Sequence, residues 1–303
     1  MNLTKYVSIC ILFLLVSCKN QDNIVVPNYI IEQEEFLKIY QNKNIKIIDF
    51  SKPEVFAERH ISGALNIWRS DIEDTKYPYG GMMASKEQLE TLFSNLGITS
   101  SDTLLVYDDK GLCDAARLWW VLQNYGFTNF RMLNGGLTAW KLKGNELTKE
   151  QPKIIKSNFI FQEKENYEYS IDKEQVFSAM LANKTIIDAR TQNEYSGKTQ
   201  KKGAFKAGRI PNSQLIDWTS AIDYHGTKRI KSKEELEKIY RTLGVAKNDT
   251  IIVYCHSGVR SAHTTFILTQ ILGYKNVLNY DGSWTEWSYF NDYPFEKDSI
   301  TIK

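Results

Sequence analysis

Short, unbroken apolar runs alternate along this chain with longer stretches whose apolar residues recur at helical spacing. Ile45-Lys46-Ile47-Ile48-Asp49, Thr103-Leu104-Leu105-Val106-Tyr107 and Phe130-Arg131-Met132-Leu133 read as buried strands. Between the first two, Ser85 caps a helix with acidic residues in its first turn. Between the last two, a helix runs from about Asp114 to Tyr125 and stops at Gly126. Strands separated by helices predict an α/β fold, a mainly parallel sheet covered on both faces.

The pattern occurs twice. Ser85-Lys86-Glu87-Gln88-Leu89-Glu90 returns as Ser232-Lys233-Glu234-Glu235-Leu236-Glu237, Leu105-Val106-Tyr107 as Ile252-Val253-Tyr254, and Asn134-Gly135-Gly136 as Asp281-Gly282-Ser283, all 147 positions on. Upstream, Ile47-Ile48-Asp49 matches Ile186-Ile187-Asp188 at 139. The second copy therefore carries about eight extra residues, most simply 198–206. The chain is a tandem duplication: one domain at 28–148, a Lys/Glu/Gln-rich linker at 149–170, and a second domain at 171–303.

The N-terminus belongs to neither copy. Lys5 precedes an apolar run from Tyr6 to Val16, too short for the ~20 residues of a membrane-spanning helix but suited to a signal-peptide core. Leu15-Val16-Ser17-Cys18 resembles the lipobox of bacterial lipoproteins, in which the cysteine becomes the acylated N-terminus. This implies a leader at 1–17, a polar tether at 18–27, and a protein lipid-anchored at Cys18 to a bacterial cell envelope, facing outside the cytoplasm. An ordinary signal peptide is the alternative. Of four cysteines the mature chain would keep Cys113 and Cys255, too few for a disulfide framework. The whole chain, 42% hydrophobic and 24% charged, has the composition of a soluble globular body, and its net charge of +2 gives no signal for nucleic acid.

Chemistry in open parallel sheets gathers at the carboxyl ends of strands. In copy two the strand Thr250–Tyr254 ends in Cys255-His256-Ser257-Gly258-Val259-Arg260. A strand, a short glycine-containing loop and a helix start make an anion cradle of backbone amides, which would favour a thiolate on Cys255, and Arg260 adds a positive charge. A buried structural cysteine is the alternative. Together with the Asp188-Ala189-Arg190 strand end and Tyr280-Asp281-Gly282-Ser283-Trp284-Thr285-Glu286-Trp287, these residues resemble the two-domain rhodanese sulfurtransferases over about residues 28–296.

That resemblance implies tandem rhodanese-like domains and a persulfide mechanism. The Cys255 thiolate would take the outer sulfur of thiosulfate, or as the alternative the thiol sulfur of 3-mercaptopyruvate, and deliver it to cyanide or a thiol. The amides of His256, Ser257, Gly258, Val259 and Arg260 would cradle the persulfide. Arg190 matches the family arginine that binds the donor's anionic group, and Arg260 would help grip it. His256 either contacts substrate or faces solvent with only its amide in use. Related cysteine phosphatases use a longer loop; the four residues between Cys255 and Arg260 suit one sulfur atom rather than a phosphate. Glu194 stands where mercaptopyruvate users carry a second substrate arginine, and Arg209-Ile210-Pro211-Asn212 replaces a His-Ile-Pro-Gly.

Copy one lacks the chemistry, with Asp108 in the place of Cys255, Ser51 in that of Arg190 and Cys113 in that of Arg260. Cys113 is expected to be buried and far from an exposed Cys255, with no disulfide between them. The run 198–206 reads as a solvated insertion that could face an anionic donor near the cleft. Trp119, Trp120, Trp140, Trp284 and Trp287 read as packing residues, and His60, His225 and His263 show no metal-ligand spacing. The expectation is a monomer with no metal and no cofactor. The other function class left open is a catalytically silent envelope module that binds sulfur or thiols.

Overall fold

The computed structural model describes residues 28–298; the leader at 1–17 and the tether at 18–27, with Cys18, lie outside the described residues. Two five-stranded sheets follow one another, every strand pairing parallel. In the first, β1 (Ile30–Ile31), β2 (Ile45–Asp49), β3 (Leu65–Asn66), β4 (Thr103–Tyr107) and β5 (Phe130–Leu133) lie in the order β1-β5-β4-β2-β3. In the second, β6 (Ser170–Ile171), β7 (Thr185–Asp188), β8 (Gln214–Leu215), β9 (Thr250–Tyr254) and β10 (Asn276–Tyr280) take the corresponding order β6-β10-β9-β7-β8. Helices α1 (Gln33–Ile39), α2 (Pro53–Glu58), α3 (Lys86–Asn95), α4 (Cys113–Asn124) and α5 (Gly136–Leu142) serve the first sheet. Their counterparts are α6 (Lys173–Leu181), α7 (Gln192–Tyr195), α8 (Lys233–Tyr240), α9 (Val259–Phe266) and α10 (Ser283–Tyr289).

The duplication extends to single hydrogen bonds. Ser85 accepts from the Gln88 amide while the Gln88 side chain returns to the Ser85 amide, and Ser232 with Glu235 does the same at α8. Tyr107 donates to Asp49 at 2.7 Å and Tyr254 to Asp188 at 2.6 Å, joining the two central strands of each sheet. The segment 149–170 is less free than its composition suggests. Phe159 and Phe161 lie on one side of an extended stretch and bury against Phe93, while their amides bond the Ser94 hydroxyl and the Glu90 carboxylate.

Each sheet has its own apolar core on the outer face, whereas the inner faces share one core that runs through both domains. There α4 packs on α9, with Trp119 edge-on to Phe266 at 5.0 Å. Polar bonds lock the register. Arg117 of α4 donates to Asp281 at 2.6 Å and to the Gly81 carbonyl at 2.8 Å, and the Met83 amide donates to the second Asp281 oxygen at 2.8 Å. Across the internal pseudo-dyad the Ile230 amide donates to Asn134 at 3.0 Å. Arg117→Met would leave the Asp281 carboxylate without its buried partner, a loss of about 3 kcal/mol by the usual cost of breaking such a pair. Urea unfolding is expected to show that loss, and Asp281→Asn in the same background to recover part of it.

Candidate active site

The buried strand β9 delivers Cys255 at its carboxyl end, and the chain must turn at once into α9. Gly258 makes that turn in the left-handed region, with φ 74°. A Cβ there would stand 2.7 Å from the Asp281 carbonyl oxygen and 2.8 Å from Arg117 Nη1, so only glycine fits. Ser283 pins the loop from outside. Its hydroxyl accepts from the amides of Cys255 and Gly258, both at 3.1 Å, and donates to the Tyr280 carbonyl at 2.7 Å. The Gly258 amide therefore holds the loop's shape and does not point into the cradle.

The Ser261 hydroxyl donates to the Cys255 sulfur at 3.4 Å, and the backbone of Ser257 and Ser261 favours the thiolate. Burial opposes ionisation of this thiol, but the Arg260 charge and these donors outweigh it and draw the pKa below the ordinary thiol value. Arg260 is held by Glu194 through two bonds of 2.7 and 2.8 Å. Burial works against the Glu194 charge, yet Arg260 and Thr191 bring its carboxyl down to about 2, so the ion pair persists at any physiological pH.

Further expectations need correction. Cys255 is not exposed but 1% accessible, at the base of a cavity. Arg190 does not line that cavity. Its guanidinium folds back on Asp188 (2.6–3.0 Å) and the Gly208 carbonyl (2.7 Å), and its charge lies over the Trp284 ring. The strand-end arginine thus ties the sheet to α10, because a buried Asp188 next to it requires a cation. His256 is buried as well and faces no solvent: its Nε2 bonds the Lys202 carbonyl at 3.0 Å. Burial, then Lys201 and Arg260, lower its pKa to about 4, so the ring is neutral.

The cavity, about 110 Å³, lies on the domain boundary. At a water's share of ~30 Å³ it has room for roughly three or four waters or one small anion. From the second domain it is lined by Lys201, Trp218, Cys255, His256, Ser257, Val259 and Arg260. From the first come Arg69, Lys110 and Cys113. The two thiols therefore share one cavity rather than lying far apart, because the α4–α9 packing brings both helix starts to the boundary. Both are free. Burial and the neighbouring Asp114 carboxyl push the Cys113 thiol up, so it stays protonated where Cys255 ionises.

The equivalent cradle in the first domain is already filled. The Asp108 carboxylate accepts from the amides of Lys110, Leu112, Asp114 and Ala115 at 2.8–3.1 Å. Lys201, Arg69, Lys110, Trp218 and Ser283 are the site residues that the sequence reading left unassigned. Two of them gave a signal, Lys201 through the jump in repeat offset and Ser283 through its place in the Asp281-Gly282-Ser283-Trp284 run.

The model of the rhodanese-like domain matches this chain twice, at residues 32–143 and 173–289. The chain belongs to the rhodanese-like family. It is 32% identical over 267 residues to a thiosulfate sulfurtransferase of Corynebacterium glutamicum, covering 85% of this chain and 86% of that one. It is 34% identical over 248 residues to the sulfur carrier protein TtuD of Thermus thermophilus, covering 78% and 85%. Among solved structures, the Tum1 protein of Saccharomyces cerevisiae superposes with a TM-score of 0.77 at 22% identity, over 89% of this chain and 98% of that one. This last likeness is one of fold.

The electrostatic account of Cys255 can be measured. Its rate of alkylation by iodoacetamide is expected to rise with pH through an inflection below that of an ordinary thiol. Comparing Glu194→Gln with the double variant Arg260→Met, Glu194→Gln removes the cation without stranding a carboxylate, and the inflection should move up. Superimposable profiles would show that Arg260 does not set the thiolate.

Proposed function

We propose that the second domain moves sulfane sulfur from thiosulfate to cyanide or a thiol through a persulfide on Cys255. The observation that carries the proposal is a buried, low-pKa thiol under converging donors, at the base of a small cavity lined by cations. The Cys255 thiolate attacks the outer sulfur of thiosulfate; the S–S bond of the donor breaks, and sulfite leaves with the bonding electron pair. The acceptor's thiolate or cyanide carbon then attacks the terminal persulfide sulfur and returns Cys255 as thiolate. The Ser261 hydroxyl, with the backbone of Ser257 and Ser261, favours negative charge on the sulfur before and after each step. The first domain is catalytically silent, since Asp108 occupies its cradle.

Thiosulfate is preferred to 3-mercaptopyruvate because Glu194 stands where a second substrate arginine would be and is committed to Arg260. A silent sulfur-binding module on the envelope is the competing reading. For location, the apolar leader and Cys18 support a lipid anchor that holds the enzyme outside the cytoplasm; loss of detergent-phase partition in Cys18→Ala would accord with it.

Incubation with thiosulfate followed by intact-mass measurement separates enzyme from silent module. The enzyme gains about 32 Da, one sulfur, absent in Cys255→Ser and discharged by cyanide. A chain that takes up no sulfur from any donor is not a sulfurtransferase.

A further inference from the structure

Four cationic side chains line the Cys255 cavity, and three of them already face a carboxylate. Arg260 is forked on Glu194, at 2.7 and 2.8 Å. Arg69 donates through Nε to Asp114 at 2.6 Å, and Lys110 stands 3.6 Å from the other oxygen of the same carboxylate. Lys201 is different. Among the described residues it makes no ion pair.

Lys201 sits on the insertion that only the second copy carries, and that insertion is anchored rather than loose. The Lys202 carbonyl bonds His256 Nε2 at 3.0 Å, the Phe205 amide donates to Ser288 Oγ at 3.0 Å, and the Lys206 carbonyl accepts from Trp284 Nε1 at 2.8 Å. Two of these partners belong to α10 and the third to the active loop, so the backbone carrying Lys201 is fixed relative to Cys255. The side chain itself is exposed to solvent and lines the cavity.

We propose that Lys201 binds the anionic end of the sulfur donor and selects negatively charged donors over neutral ones. This rests on the reading of Cys255 as the sulfur-accepting nucleophile. The role is the one that the sequence assigned to Arg190, moved to a residue whose charge is not already matched. Partial burial and then the like charge of Arg260 lower the Lys201 pKa, so a further negative charge beside it would be stabilising. An anion arriving there restores the balance, and one leaving from an exposed lysine meets water at once.

The test uses two alkylating agents of similar size, anionic iodoacetate and neutral iodoacetamide, on the purified full-length protein. The ratio of their rates at Cys255 cancels any change in thiolate population. In the native protein the ratio should favour iodoacetate relative to a free thiol, and rising salt should erode the preference. Lys201→Met is expected to lower the ratio about fivefold at low salt and to raise KM for thiosulfate. Lys201→Arg should retain both. If Cys255 reacts with both reagents but Lys201→Met leaves the ratio and KM unchanged, Lys201 does not bind the donor, and the proposed function stands. If Cys255 reacts with neither, the nucleophile assignment falls and this inference with it.

Discussion

Backbone amides that converge where a strand turns into a helix must be met by negative charge, because buried donors without a partner are costly. Both halves of this chain contain that turn, and they meet the demand differently. In the first, Asp108 turns its own carboxylate inward and takes four amides, closing the cradle for good. In the second, the same place holds the Cys255 sulfur, whose thiol is drawn below the ordinary value and which can form and break a bond. One substitution at one strand end thus separates a structural turn from a reactive one. The turn's remaining parts follow the choice. Ser283 pins the reactive loop, whereas its repeat counterpart is Gly136, where a Cβ would stand 2.0 Å from the Asp108 carbonyl oxygen.

The first domain also shapes the site. Because the inner faces of both sheets share a core and α4 lies on α9, the start of α4 arrives beside the start of α9. Cys113, Lys110 and Arg69 become one wall of the Cys255 cavity as a result. The Arg117–Asp281 pair holds that wall in register, and it does so next to Gly258, the residue on which the active loop turns. Domain packing and loop geometry are therefore one constraint. A shift of α4 relative to α9 would move the cavity wall and the loop's left-handed corner together.

The division of the chain, the strand and helix order and the position of Cys255 were legible in the sequence because they depend on local spacing and on a repeat with a fixed offset. Residues whose role depends on what faces them were not. Arg190 looked like a substrate ligand because it ends a strand near the cleft, but Asp188, two residues earlier, claims its guanidinium. His256 could be read as solvent-facing only while the insertion was taken to be solvated; once residues 202–206 dock on α10 and the loop, its ring is covered. Cys113 was placed far from Cys255 because two separate sheets suggest separate clefts. The pseudo-dyad runs through the α4–α9 contact, and that is a tertiary fact with no signature in either copy alone.

Pairing Arg260 with Glu194 limits as well as supports the chemistry. An unpaired buried guanidinium beside Cys255 would stabilise the resting thiolate and hold the departing anion alike, and stabilisation shared by ground state and transition state does not speed the step between them. The carboxylate fixes the guanidinium's direction through two bonds and offsets part of its charge, leaving a thiolate that is favoured but not overbound. The Asp114 carboxylate moderates Arg69 and Lys110 on the opposite wall in the same way. The inner cavity thus keeps its cations nearly balanced, and its net attraction for a second anion is modest. What unbalanced charge remains lies at the rim, where solvent screens it and a product anion can leave as readily as a donor enters.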